Sequence, residues 1–471
     1  MPPSRPPITD RPPDLPHEWV ARIGGDLGAE GQRLIEVQDR PPLRALRCNP
    51  QKPFTTQPDW KKVPWSPATW LLPTEYKPAY EPAFHGGAFY VQEPSSTFLD
   101  HVLSHLDDAV EPKRILDLSA APGGKSTLLQ AFFPKALLVA NEVVRSRTGT
   151  LIENLVRWGA THAVVTQNDP RDFAGLDGYF DLILVDAPCS GEGLFRKDHA
   201  SRDSWTMDLA HHCSLRQQRI LADVLPALKP GGRLIYSTCT YNPAENEAQV
   251  SWLAETFDLA GVEIPVDVDW GIETTPVESR SGQLPVFRFW PHRLAGEGFF
   301  LAVLQKDGQR HRNKQSASHR SRGKRVTDEW LPYLTEPDVY VQPSDLPPGI
   351  AFPAEFESDL ALLRGHLKVT HAGIRLGQRK GDHWVPAHDL AMSQALNAGF
   401  RCVDLGRDEA LDYLSHQALQ RTLELEPGWL LARHEGCTLG WVKVTRQGQW
   451  KNHHPIHWRL RQRPPVNKNH S

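Results

Sequence analysis

The chain has 471 residues, beyond the roughly 250–300 at which a single core usually divides, so two or three domains are expected. A formal charge of -3, from 53 Lys and Arg against 56 Asp and Glu, gives no sign of a polyanion partner on average and leaves only a local basic stripe for that purpose. No apolar run approaches the ~18 residues of a membrane-spanning helix, which excludes that class. Six scattered cysteines without a CxxC pair, behind the polar, proline-rich start MPPSRPPITDRPPDLP, predict a cytoplasmic protein with reduced thiols.

In chain order, residues 1–16 read as a disordered tail and 17–84 as a small N-terminal domain. Within it, Glu18–Val37 carries apolar residues at mixed helical spacing with an interruption expected at Gly24 and Gly25, and the prolines and tryptophans of Lys52–Pro82 predict an irregular wrap. Between 85 and 306, strand-like runs at 115–118, 137–141, 162–166, 182–185, 233–237 and 299–304 alternate with amphipathic helical patterns at 145–158 and 214–228. That alternation predicts an α/β fold with a doubly wound parallel sheet.

Residues 306–325 hold eight Lys or Arg against one acid, Asp307, with no apolar period, so 307–325 is expected to be a basic linker able to meet a phosphate backbone. From 326 to 471, helices near 354–364 and 388–397 and strand-like pieces at 367–377, 383–386 and 429–445 precede the basic tail KNHHPIHWRLRQR. A small, mainly β, RNA-binding module is expected there.

Residues 115–127, ILDLSAAPGGKST, read as strand, tight glycine turn and helix start, an arrangement that admits a nucleoside-bearing cofactor. The small side chains of Ser119, Ala120, Ala121, Pro122, Gly123 and Gly124 let backbone approach a ligand, and the helix beginning at Lys125 offers unpaired N–H groups. A Walker loop would need Gly at position 119, where Ser119 stands. Glu142 closes the second strand, where a carboxylate accepts from ribose hydroxyls, the plain alternative being a surface acid. Asp169 follows the third strand and could accept from an adenine amino group, although Asn-Asp-Pro is also an ordinary turn. With no GxGxxG present, S-adenosylmethionine is preferred over a nicotinamide.

The runs Asp181–Gly191 (DLILVDAPCSG) and Ile235–Thr240 (IYSTCT) each place a thiol just past an apolar strand, where such sheets keep their reacting groups, so Cys189 and Cys239 point to covalent chemistry. Asp186 is a candidate to hydrogen-bond a base edge as general acid or to touch the cofactor. Cys48, Cys213, Cys402 and Cys437 lack flanking motifs and read as small buried apolar residues. Adjacent His211, His212 and Cys213 point apart on a helix, so no metal is expected.

The motifs APGGKS (121–126), NEVVRSR (141–147), DAPCSGEGLFRKD (186–198), STCTYNPAENE (237–247) and GEGFF (296–300), preceded by HGGAFYVQEPSS (85–96), resemble the RNA 5-methylcytosine methyltransferases of the Sun-domain (RsmB/NOP) family over residues 85–305. Chain length, the basic linker and GWVK (440–443) are similar to a bacterial ribosomal subgroup with a PUA-like tail. The resemblance implies a Rossmann-like, S-adenosylmethionine-dependent domain in which Cys239 attacks cytosine carbon 6, Cys189 helps release the carbon 5 proton, and Lys125 supports the base or developing charge. DNA cytosine methyltransferases put their nucleophile in a Pro-Cys motif, so the residues alone leave Cys189 open as the attacker. Many family members carry Cys or Ala where this chain has Ser119, a departure that keeps the side chain small. The expected substrate is small-subunit (16S) ribosomal RNA, free or in the assembled subunit, with the target base lifted from its stack. Transfer RNA is the rival target, and an inactive RNA-binding assembly factor is the rival class, disfavoured because both thiols, Asp186 and the glycine turn are all present.

Overall fold

The computed structural model describes residues 14–106, 111–280, 282–308, 323–344, 346–381, 383–418 and 426–462. Most of the expected tail at 1–16 and most of the basic linker at 307–325 lie outside the described residues. The chain divides into two compact units that each draw on separated segments: Met1–Leu43, Glu93–Phe98 and Asp177–Arg310 in one, Arg44–Gln92, Leu99–Leu176 and His311–Ser471 in the other.

In the first unit, strands Phe180–Asp186 and Leu228–Thr238 run parallel, joined through the helix Met207–Val224. Nearly all their residues are buried, on both faces, as in a covered parallel sheet. Phe299–Lys306 pairs antiparallel with Leu228–Thr238, and the hairpin Glu273–Ser279/Gly282–Phe289 extends the same sheet. The all-parallel expectation is therefore corrected: Pro276 and Pro285, placed opposite each other in that hairpin, disguised it as non-strand sequence. The helix expected at 214–228 starts earlier and stops earlier. Thr206 caps it by accepting the Leu209 N–H at 3.0 Å, Pro226 cannot donate to a continuing helix, and Lys229-Pro-Gly-Gly belongs to the following strand instead.

Two N-terminal helices, His17–Leu27 and Ala29–Val37, bury Trp19, Ile23, Leu34 and Val37 against Phe195, Trp205, Tyr241 and Trp290. The break falls at Gly28 and not at Gly24 and Gly25, which stay helical; only Gly28, at φ 54° and ψ -123°, needs a backbone that side chains disfavour.

In the second unit, Arg114–Asp117, Leu137–Asn141 and Ala163–Thr166 form a parallel set with helices Gly124–Phe132 and Arg145–Trp158 between them. These elements fall within a residue or two of their expected places. A three-stranded antiparallel sheet, Thr69–Leu71, Ala45–Cys48 and Phe89–Gln92, crosses the segment expected to be irregular. Strands this short have no readable period.

The C-terminal residues are tied into this unit. Val369–Ala372 pairs antiparallel with Ala163–Thr166, Gln167 N–H donates to Lys368 O at 3.0 Å, and Val156 shares a core with Trp330, Leu390 and Trp441. The helix expected near 354–364 runs Glu357–His366, and 367–377 splits into Val369–Ala372 and Ile374–Arg375. His383–Pro386 forms as expected, the helix at 388–397 shortens to His388–Met392, and 429–445 is a hairpin, Gly428–His434 and Cys437–Val444, turning through Glu435 and Gly436 at positive φ.

Trp19 is fully buried, with its ring edge-on to Phe195 at 5.3 Å. Trp19→Ala is expected to cost about 3–5 kcal/mol through the cavity it leaves, read as a lowered urea midpoint for the full chain; an unchanged midpoint would show the helical pair to be dispensable.

Candidate active site

Strand register sets the thiol side. Asp186 lies opposite Ser237 in the parallel pair, and past the strand ends Ala187 N–H donates to Ser237 O and Gly193 N–H to Cys239 O, both at 2.8 Å. The two loops are thereby stitched together. A side chain at Gly193 would meet Gly298 O at 2.5 Å and Cys239 O at 2.9 Å, so only glycine admits that contact. The result is a Cys189 Sγ to Cys239 Sγ distance of 3.2 Å, with both residues half-buried. The Ser237 hydroxyl donates to Asp186 Oδ1 at 2.8 Å, fixing the carboxylate at the mouth of the same strand ends.

The sulfur of Cys239, then burial, pushes the Cys189 thiol well above its usual range. Adjacent thiolates repel, so the pair holds one proton readily and loses the second with difficulty. Behind the thiols lies a group the sequence reading passed over. Glu245 is fully buried and accepts from the Ser190 N–H at 2.8 Å, the Ser190 hydroxyl and Gln217 Nε2 at 3.1 Å. Burial lifts its carboxyl to about 7 against the pull of those donors. Ser190, Thr240 and Glu245 all stood inside quoted motifs, whereas nothing in the pattern around Gln217 marked it.

The second unit carries the loop after Arg114–Asp117. Asn141 braces it: its Nδ2 donates to Leu118 O and Asn168 O at 3.0 Å each, and Ala120 N–H returns a bond to Asn141 O at 2.8 Å. Ser119 is half-buried, Ala120 and Ala121 are buried, and Pro122 is exposed, its carbonyl held by Asn154 Nδ2 at 2.8 Å. Gly123, at φ 112°, caps the helix Gly124–Phe132 with no side chain on its first-turn N–H groups. The ends of the loop are thus backbone-lined and carry positive helix-terminus potential. Lys125 stands half-buried in the first turn, within electrostatic reach of Tyr90.

Glu142 is buried just past its strand. Its Oε1 accepts the Val144 N–H at 2.9 Å, while Oε2 makes no hydrogen bond and lies 3.3 Å from Arg147 Nη1. Arg147 also donates to Ala121 O, tying the carboxylate to the loop. A buried acceptor beside small-residue backbone fits a ribose-bearing cofactor. Asp169 is half-buried and accepts the Arg171 N–H at 3.3 Å, and its neighbour Asn168 accepts the Lys368 N–H at 3.0 Å. The structure therefore brings Cys189, Cys239 and Asp186 to one pair of strand ends, and the loop 119–125 to Glu142 through Arg147. All six cysteines are free thiols, and no group of three or more His, Cys, Asp or Glu is placed to hold a metal among the described residues.

Three family models match the chain: the 16S rRNA methyltransferase RsmB/F over residues 105–305, the N-terminal domain of 16S rRNA methyltransferase RsmF over 15–94, and the methyltransferase RsmF PUA domain over 400–460. The "Ribosomal RNA small subunit methyltransferase F" of Pectobacterium atrosepticum is 34% identical over 79% of this chain and 81% of its own. The chain belongs to the RsmB/F family of 16S rRNA methyltransferases. It is an S-adenosylmethionine-dependent RNA methyltransferase of the cytosine-C5 kind, with a C-terminal PUA domain. The RsmF protein of Aeromonas salmonicida is 32% identical over 91% of this chain and 94% of its own. A methyltransferase homologue from Pyrococcus horikoshii superposes with TM-score 0.51 at 28% identity, covering 61% of this chain and 98% of that one. The expected Rossmann-like α/β class holds, with a mixed sheet in place of a parallel one.

The raised Glu245 pKa fixes a pH dependence. An unfolded carboxyl ionises near 4.5 while the folded one keeps its proton to about 7, so between these values the folded state binds more protons and stability falls as pH rises. Glu245→Gln removes that contribution. Unfolding free energy of the full chain, measured from pH 5 to 7, is expected to fall less steeply in the variant, by up to about 1.4 kcal/mol per pH unit. Equal slopes would place the proton elsewhere.

Proposed function

We propose that this chain methylates carbon 5 of a cytidine in small-subunit ribosomal RNA through a covalent adduct on Cys239. The observation that carries this reading is the 3.2 Å approach of two thiols on adjoining loops, with an anchored carboxylate beside them. The target follows from the relatives, small-subunit ribosomal RNA methyltransferases that match at 30–34% identity over most of their length. We assign residues 85–306 to the methyltransferase domain, 17–84 to an N-terminal domain, 307–325 to a basic linker and 326–471 to an RNA-binding region. Among the described residues no helix is long and apolar enough to cross a membrane; we assign the enzyme to the cytoplasm on its ribosomal RNA target, met free or in the assembled subunit.

When bound, S-adenosylmethionine supplies an electrophilic methyl on a sulfonium centre. The backbone of Ser119, Ala120, Ala121, Pro122, Gly123 and Gly124 would cradle it, Glu142 would accept from its ribose and Asp169 from its adenine. Lys125 would sit in the helix start beside it.

Carbon 5 of cytosine is a weak nucleophile until a group adds at carbon 6. Its neighbour's sulfur and burial make Cys189 the harder thiol to deprotonate, which favours the Ser-Thr-Cys-Thr residue over the Pro-Cys residue as attacker. Cys239 Sγ bonds carbon 6 while Asp186 hydrogen-bonds the cytosine edge and supports protonation at ring nitrogen 3. Bond formation turns Cys239 into a neutral thioether, which removes the main cause of the raised Cys189 pKa. Cys189 then ionises more easily, takes the carbon 5 proton of the methylated base, and the carbon–sulfur bond breaks to restore Cys239 as thiolate.

Bisulfite mapping of total RNA from a deletion strain is expected to lose a cytidine signal in small-subunit ribosomal RNA; loss confined to transfer RNA would overturn the target. Incubated with RNA and cofactor, Cys189→Ala should accumulate a protein–RNA adduct stable on denaturing gels while Cys239→Ala gives none, and exchanged outcomes would swap the two roles. Asp186→Asn should lower kcat/KM about 10²–10⁴-fold, a drop absent if the carboxylate is only structural.

A further inference from the structure

We propose that Glu245 is a positioning residue for the methyl-transfer reaction, the side chain that holds the Cys189 loop against the Cys239 loop and so sets the thiol–thiol distance. The inference rests on the reading of the two thiols given above, and it concerns a residue that touches neither sulfur.

Among the described residues the Cys189 side chain is hydrogen-bonded to Cys239 alone, so its direction is set by its backbone. That backbone is gripped on both sides. Gln217 Nε2 donates to Pro188 O at 3.1 Å, ahead of the thiol, and the Glu245 carboxylate takes both the N–H and the hydroxyl of Ser190, behind it. Gln217 also donates to Glu245, closing a ring around Cys189. From Ser190 the hydroxyl reaches Thr240 Oγ1 at 3.0 Å, and Thr240 is the residue after Cys239. One carboxylate thus links the residue following each thiol. Glu245 is itself anchored, because the Tyr236 hydroxyl donates to its backbone carbonyl at 2.7 Å.

The chemistry of the site calls for a carboxylate. Three donors converge on Glu245, two N–H groups and a hydroxyl, and a carboxyl group turns an oxygen toward each of them. An amide that keeps its oxygen on the two N–H groups sets its NH2 against the Ser190 hydroxyl, which must then accept where it donated before. Cys189, Cys213, Tyr236 and Glu192 are the titratable groups within electrostatic reach, and Arg216 reaches Cys213. Among the described residues none of these groups donates a hydrogen bond to the Glu245 carboxyl.

The test compares Glu245→Ala and the nearly isosteric Glu245→Gln in the full chain. In steady-state assays both are expected to lower kcat, the alanine variant by about 100-fold, with KM for RNA unchanged, and to accumulate the denaturation-resistant adduct as Cys189→Ala does. The double variant Glu245→Ala/Cys189→Ala should turn over no more slowly than Cys189→Ala alone. Normal turnover, or a loss of turnover without adduct in a folded variant, overturns the proposal. A second measurement stands apart from the RNA chemistry: diamide removes two hydrogens from a close thiol pair to form a disulfide, and mass spectrometry follows the linked peptides containing residues 189 and 239. The rate should fall at least about tenfold in both variants, and an unchanged rate overturns the positioning role. If instead Cys189→Ala releases RNA normally, the assigned thiol roles fail, and the diamide rate alone then decides for or against Glu245.

Discussion

The parallel register between Phe180–Asp186 and Leu228–Thr238 is the constraint on which the chemistry rests. Side chains alternate along a strand, so a slip of one residue would turn Asp186 and Ser237 to opposite faces and part the loops that follow. With Asp186 opposite Ser237, Cys189 and Cys239 leave the sheet three and two residues later and meet at 3.2 Å. Burial of both strands on both faces supplies the cost of slipping: nearly every residue in them lies inside, and exposing a single one of these apolar side chains costs about 1.5–3 kcal/mol.

That placement also divides labour between sulfur atoms of the same kind. Two thiols in contact cannot both ionise cheaply, and the asymmetry between them comes from what surrounds each one. Cys189 feels its neighbour's sulfur, burial and the negative charge of Glu245, in that order. A reaction needing first a nucleophile and later a base can use one pair for both, because the first step changes the charge that the second thiol feels. Under the proposed mechanism the environment would turn two identical groups into successive reagents.

Much of the fold was legible in the sequence where periods are long and strong. The run Leu137–Asn141 and the helix Arg145–Trp158 appear at the expected residues, since a fully buried strand and a 14-residue amphipathic stripe each carry many consistent positions. The three-residue strand Thr69–Leu71 and the proline-bearing hairpin Glu273–Ser279/Gly282–Phe289 escaped notice, because their pairing is decided by partners distant in sequence. The thiols, Asp186 and the glycine loop were visible as residue types at strand ends. Glu245 and Gln217 were not, since a buried acid announces itself only through the donors the fold delivers to it.

The strand Val369–Ala372 gives the C-terminal region a place that composition did not foretell. It lies along Ala163–Thr166 and occupies backbone groups that would otherwise face outward, and Gly373 N–H extends the seam to Ala163 O at 3.1 Å. A chain shortened before this point would keep every residue of the cofactor loop yet present a bare apolar margin, the kind of surface that recruits strands from other molecules. Val369–Ala372 therefore covers the margin of Ala163–Thr166 that a shorter chain would leave open to pairing.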